Sequence, residues 1–244
     1  MAEDGLKPSP RIFAAMLLVA QSCGDVSLAY EWLQQYRVAA AASPDAAAAA
    51  ASLAPPAAAG LSTTTPQVGA GLSQEEADAA AHAMRVAPYH TVIAAASFVA
   101  DAQPDAARTA AAAFQQLLAD GHTPTSQIVT SLIRCASLAG DITAACEYLA
   151  LTDKYGLKQE VAMFLPIVRC AGGASGSEPC MHVADAVLDL AENAGVAHST
   201  PLFVAYAAAA CDAHDPERAA ALLPRLEAAN MAVPDTIFES IVVA

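Results

Sequence analysis

One short phrase, a glycine followed three residues later by a proline in its fullest form, returns along this chain whole or in part at a near-constant interval, and it restricts the available folds more than any other feature. Gly121-His122-Thr123-Pro124 is followed 35 residues on by Gly156-Leu157-Lys158-Gln159, and Gly195-Val196-Ala197-His198 comes 39 after that. Asn230 stands 35 beyond Gly195 and leads into Met231-Ala232-Val233-Pro234, while Gly5-Leu6-Lys7-Pro8 opens the chain with the same phrase. Two unrelated residue classes keep this frame. An apolar or aromatic residue shortly after each phrase appears as Phe13, Ile93, Val129, Phe164, Phe203 and Phe238, and a small residue later on as Ala29, Ala110, Ala145, Ala184 and Ala219. Shared offsets in several residue classes mark a repeat architecture.

Each period reads as two helices. The first is apolar, as in Ile12 to Val19 or Ile128 to Leu138, and runs into a short polar turn, Cys23-Gly24-Asp25 or Ala139-Gly140-Asp141. The second is amphipathic, with Leu28, Trp32 and Leu33 in one copy, Tyr148 and Leu149 in another, and Leu222, Leu223 and Leu226 in a third at helical spacing. The closing glycine suits a helix C-terminus, where a left-handed residue is cheapest, and the proline just beyond it prevents continuation. A hairpin this short cannot bury its apolar faces alone, so neighbouring units must stack. The expected fold class is all-α, a solenoid of about five helix-turn-helix repeats plus a partial sixth.

The frame breaks once. Residues 38–72 hold alanine runs, Pro44, Pro55, Pro56, Pro66, three successive threonines and a single charge, Asp45, so nothing amphipathic would dock them. From Pro8 to Pro88 is 80 residues, one repeat plus about 45 of insertion. We therefore read 5–37 as the first repeat, 38–72 as a disordered insertion and 73–244 as the helical-repeat array. Ser73-Gln74-Glu75-Glu76 has the form of a capping box that restarts a helix through Met84.

The Gly-x-x-Pro phrase, the aromatic-containing segment after it, the mid-repeat glycine and the small residue of the second helix resemble the pentatricopeptide repeat family. The match covers 5–37, units near 89–125, 126–160, 161–199 and 200–235, and a partial unit at 236–244. Gln159 and His198 replace the family's proline, Asn230 replaces its glycine, and Gly172 to Gly176 lengthen one turn. The tetratricopeptide repeat shares the small residue of the second helix, but the spacing of 35 and the closing Gly-x-x-Pro favour the pentatricopeptide type. The resemblance implies a right-handed α-α superhelix in a mitochondrion or chloroplast that binds single-stranded RNA, one base per repeat, and governs its processing, stability or translation.

It also implies which residues meet the ligand. In the family a base is read by the residue just after the first helix's aromatic marker, together with the residue after the closing proline. The first kind map to Ala14, Ala94, Thr130, Leu165 and Val204. Their partners are Thr125 for Ala94, Glu160 for Thr130, Ser199 for Leu165 and Asp235 for Val204. Only Thr130 with Glu160 carries hydrogen-bonding groups on both sides, because alanine, leucine and valine have none.

Charge points elsewhere. Lys and Arg total 11 against 25 Asp and Glu, a formal net charge of −14, and the cations are scattered from Lys7 to Arg225. Affinity for a phosphate backbone comes largely from basic side chains, so this balance opposes a broad nucleic-acid surface. A second reading is an acidic protein-interaction scaffold that has lost RNA reading, its small apolar contact residues taking a partner helix or peptide. A third is that the chain is a piece of a longer protein, since the repeats begin at residue 5 and the chain stops inside a unit.

No enzyme is expected. The six histidines never pair four residues apart, and no HExxH, GxSxG or phosphate-loop pattern occurs. Asp185 and Asp189 share a helix face and read as solvated carboxylates, and Gly172 to Gly176 read as a flexible turn rather than an anion nest. No cofactor, metal site or small-molecule substrate is expected, because the six cysteines form no C-x-x-C pair, and several, inside apolar helical stretches, read as reduced, buried thiols. Alanine supplies much of the 56% hydrophobic fraction, and the longest apolar runs, Ile12 to Ala20 and Leu202 to Cys211, are too short to span a membrane. The acidic start, Met1-Ala2-Glu3-Asp4, shows no transit peptide.

Overall fold

A computed structural model describes residues 10–42, 74–103, 105–174, 176, 178–196, 199–228 and 235. Among these every regular element is a helix. The chain forms two compact units, Met1–Ala95 with Ala112–Thr123, and Ala96–Ala111 with Pro124–Ala244.

In the first unit α1 (Pro10–Cys23) and α2 (Val26–Ala42) form a hairpin. Phe13, Leu17 and Ala20 on α1 and Val26, Ala29, Leu33 and Tyr36 on α2 are buried, three or four residues apart, which is the stripe one helix face presents to another. Their turn is the Gly24-Asp25 pair: Gly24 sits at φ 69°, and Asp25 Oδ1 accepts from the Leu28 amide at 3.0 Å. Helix α2 runs through Ala42, five residues into the segment read as an insertion, because alanine is the best helix former. Residues 43–72 of that segment lie outside the described residues.

Helix α3 (Gln74–Val99) supplies the unit with its residues up to Ala95, and α4 (Asp105–Ala119) with those from Ala112. Where the sequence suggests a helix ending near Met84 and a new one beginning after Pro88, α3 is one unbroken helix of 26 residues. Proline costs a helix interior one backbone hydrogen bond. Pro88 is buried, as are Val86, Tyr89, Val92 and Ile93 around it, and this packing outweighs the loss.

The second unit shows the repeat most clearly. It contains α5 (Ser126–Leu138), α6 (Ile142–Tyr155), α7 (Val161–Ala171), α8 (Met181–Asn193), α9 (Thr200–Asp212), α10 (Pro216–Ala220) and α11 (Leu222–Ala228). The first helices of successive repeats, α5, α7 and α9, pack side by side in a row, with α6 and α8 against it. Val129, Phe164 and Phe203, the sequence markers, are 0–1% exposed in that row, and Ala145, Ala184 and Ala219 are each 0% exposed where the second helices dock. A fully buried phenylalanine is worth about 1.5–3 kcal/mol, so the residues that reveal the period also hold successive repeats of this unit together.

The turns repeat as well. The closing glycines Gly121, Gly156 and Gly195 all have positive φ, 62–76°. At mid-repeat, Gly140 (φ 78°) precedes Asp141, whose carboxylate accepts from the Ala144 amide at 2.9 Å. His214 (φ 54°) occupies the equivalent place before Asp215, which accepts from the Arg218 amide at 3.2 Å. Gly172, the C-cap of α7, has a packing reason: a Cβ there would lie 2.5 Å from the Ala209 backbone, so α7 and α9 meet this closely only over a glycine. The last second helix breaks at Ala221, where Pro224 has no N–H for the Ala220 carbonyl.

Candidate nucleic-acid interface

Helices α5 and α7 leave a groove of about 570 Å³ between them on the exposed side of the first-helix row. Two of the expected ligand-contact residues line it, Thr130 and Leu165, from consecutive repeats, together with Ala162, Pro166 and Leu138. The wall is largely apolar, but Arg134 and Arg169 lie on it, each one helical turn after Thr130 and Leu165 respectively. Both arginines are exposed.

These arginines are set apart by what they do not touch. Arg37, Arg108, Arg218 and Arg225 are each paired with a carboxylate. Arg134 and Arg169 have no ion-pair partner among the described residues, and neither does Arg85 in the other unit. The Arg134 guanidinium carbon instead lies 5.1 Å from the Phe98 ring centroid, a cation–π contact. Asp101 also reaches the groove and tempers its positive charge.

A polar group inside the groove is likewise unpaired. Ser137 is 4% exposed, lines the groove one turn beyond Arg134, and its Oγ has no hydrogen-bond partner. Buried hydroxyls are nearly always bonded, and leaving one unbonded costs about 1–3 kcal/mol.

The other expected contact residues are placed differently. Thr125 is the N-cap of α5, its Oγ1 accepting from the Ile128 amide, so part of its capacity serves the helix. Thr130 Oγ1 donates to the Ser126 carbonyl at 2.8 Å and keeps its acceptor side free to face the groove. Glu160 and Ser199 precede α7 and α9 as N-cap residues without a side-chain capping bond, and Glu160 is exposed. Val204 and Leu165 are half-buried against the core cluster of the second unit. Ala14 is half-buried and Ala94 is 8% exposed in the first unit, and Asp235 is exposed. Gln159 stands where the family has proline, and its amide donates to Thr152 at 2.8 Å and Asp153 at 3.2 Å, tying the loop to α6 by side-chain bonds instead of a rigid ring.

Sequence reading missed Arg134, Arg169, Phe98 and Ser137. The signal was present: Phe98, Arg134 and Arg169 each stand five residues after a marker, Ile93, Val129 and Phe164. The carboxylates read as solvated are instead engaged. Asp185 accepts from Tyr206 and lies 3.5 Å from Arg218, and Asp189 pairs with Arg225. Burial, followed by the bond to Asp185, pushes the Tyr206 hydroxyl well above its usual range.

Nothing in the described residues gathers three metal-ligating side chains, and no described helix is long and apolar enough to cross a membrane. None of the six cysteines forms a disulfide. Cys135 and Cys170 are buried as expected of thiols in apolar helices, whereas Cys23 is exposed and Cys146, Cys180 and Cys211 are half-buried. Burial pushes the Cys135 thiol up to about 12, which keeps it protonated.

No family model and no curated protein matches the chain. Among solved structures it is similar to the PPR domain of Arabidopsis thaliana protein-only RNase P 1 in complex with tRNA, with a TM-score of 0.61 and 16% identity over 96% of this chain and 97% of that one. It is also similar to nuclear proteinaceous RNase P 2 from A. thaliana, with a TM-score of 0.58 and 16% identity over 95% of this chain. Only 40% of that second protein's length is spanned. The fold is thus a pentatricopeptide-like, all-α repeat superhelix.

Proposed function

We propose that this chain binds single-stranded RNA and catalyses no reaction on it. The observation that carries this reading is the α5–α7 groove, where two arginines without carboxylate partners flank Thr130 and Leu165 in a chain otherwise poor in cations. The arginines attract phosphates, while the positions before them face the bases. The PPR domain that this chain resembles in fold was solved with tRNA, which supports the reading. In the same scheme Thr130 and Glu160 form the reading pair with hydrogen-bonding capacity, and Ala94 with Thr125, Leu165 with Ser199, Val204 with Asp235, and Ala14 contribute contact without discriminating base edges. The test is fluorescence anisotropy with an unstructured RNA pool at low salt. Saturable binding at nanomolar to micromolar concentration supports the reading, and no binding at the highest soluble concentration removes it.

The organellar role, in RNA processing, stability or translation, follows from the family resemblance. One of the two neighbours is by name a nuclear enzyme, so localisation of the tagged chain decides this part separately. The domain scheme, with 38–72 as an insertion between the first repeat and the array, stands as part of the proposal. Its test is limited proteolysis, which should cut first within that segment.

A second reading has its own observation. Leu165 and Val204 are apolar and half-buried where a base-reading residue would be polar, which suits a helix or peptide of a protein partner. A partner whose binding survives ribonuclease and is lost on Leu165→Arg or Val204→Arg would favour that scaffold.

A further inference from the structure

Phe98 is in an unusual place for its chemistry. The six residues before it on α3, Val92 to Ser97, are all buried, yet Phe98 is 61% exposed. Among the described residues, the other exposed large apolar side chains, Ile12, Val19, Val38 and Leu190, are aliphatic. The Arg134 guanidinium, which lines the α5–α7 groove, lies over one face of the Phe98 ring, so the ring stands at that groove's margin. It also occupies the repeat position that Arg134 and Arg169 occupy in the next two units, five residues after the marker. An exposed aromatic ring beside unpaired cations is the arrangement with which proteins hold unpaired bases. The ring stacks on the base and the cations meet the phosphates beside it.

We propose that Phe98 is a stacking platform for one unpaired nucleobase, with Arg134 bracing the ring and Arg134 and Arg169 meeting the adjoining phosphates. This rests on the RNA-binding reading and adds to it a contact outside the residue pairs that the family resemblance implies. Every base has a π-face, so the contact adds affinity without sequence preference.

The experiment uses the full chain and a single-stranded RNA carrying 2-aminopurine, whose fluorescence is quenched by stacking. Phe98→Ala should weaken binding roughly 5- to 100-fold at fixed salt. It should also relieve the protein-induced quenching, and it should leave the salt dependence unchanged because no cation is lost. Phe98→Trp should retain both affinity and quenching, whereas Phe98→Leu, apolar but without a π-face, should behave like Phe98→Ala. Since the side chain is exposed, all three variants should melt near the wild-type temperature. Wild-type affinity and quenching in Phe98→Ala overturn this inference and leave the RNA reading intact. A wild-type chain that binds no RNA overturns both.

Discussion

Arg37 and Asp120, 83 residues apart, meet as a two-pronged fork: Arg37 Nε donates to Asp120 Oδ2 and Nη2 to Oδ1, both at 2.6 Å. The pair joins α2 to the end of α4, across the whole segment that interrupts the repeat frame. Tyr89 donates a further hydrogen bond to the same carboxylate, and Gln116 bonds Gln34 and Tyr30 alongside it. The first helical hairpin is therefore fastened to its unit by directional polar bonds as well as by apolar packing.

Replacing Arg37 by alanine should cost about 1–2 kcal/mol in urea unfolding, since it takes both charged hydrogen bonds from the partly exposed Asp120 carboxylate, to which the buried Tyr89 is also bonded. Arg37→Lys should recover only part, because an ammonium cannot make both bonds. The pair also predicts a pH dependence. The Arg37 bond, aided by Tyr89 and opposed by burial, holds the Asp120 carboxyl below its usual range. A carboxylate with a depressed folded-state pKa stabilises the protein fully above the unfolded value of about 3.9 and loses that contribution as pH falls through the lower folded value. The melting-temperature gap between wild type and Arg37→Ala should thus be constant near neutrality and close below about pH 4.

His214 holds the left-handed turn position that Gly24 and Gly140 fill in other repeats. A side chain there is strained by roughly 1 kcal/mol, so His214→Gly should stabilise the chain by about 0.5–1 kcal/mol and Gly140→Ala should destabilise it by a similar amount. Urea midpoints of the two variants, shifted in opposite directions at unchanged m-value, are the check.

Gly172→Ala should be the most damaging single methyl in the second unit. The added Cβ meets Ala209 backbone at 2.5 Å, which cannot yield as a flexible side chain would. A loss of about 1–3 kcal/mol is expected, read from thermal or urea unfolding.

Ser137→Ala should separate stability from binding. Removing a buried hydroxyl that has no partner should leave the free protein as stable or about 1 kcal/mol more stable. If the groove's ligand supplies that partner, the same variant should bind RNA more weakly. Paired melting and anisotropy curves give both readouts.

Why some of this was legible beforehand and some not comes down to range. Val129, Phe164 and Phe203 recur because each must fill the same space between stacked helices, so burial writes a period into the sequence, and the buried alanines Ala145, Ala184 and Ala219 do the same. Polar partnerships write no such mark. Asp185 and Asp189 look solvated within their own helix, and only stacking brings Arg218 and Arg225 to them from the next unit. Arg134 and Arg169 do keep the frame, five residues after Val129 and Phe164, but that they share a groove shows only when α5 and α7 lie side by side. The unbroken course of α3 through Pro88 was hidden for a similar reason, since local propensity favours a break there and tertiary burial overrides it.

The central claim is that the α5–α7 groove holds a strand of RNA through Arg134 and Arg169. Its most direct test is the salt dependence of binding for the wild type and for Arg134→Gln with Arg169→Gln combined. Each phosphate contact on a single strand contributes about 0.7 to the slope of log K against log salt, so the double variant should bind more weakly and its slope should fall by about 1.4. A double variant whose affinity and slope match the wild type, or a wild type that binds no RNA, would contradict it.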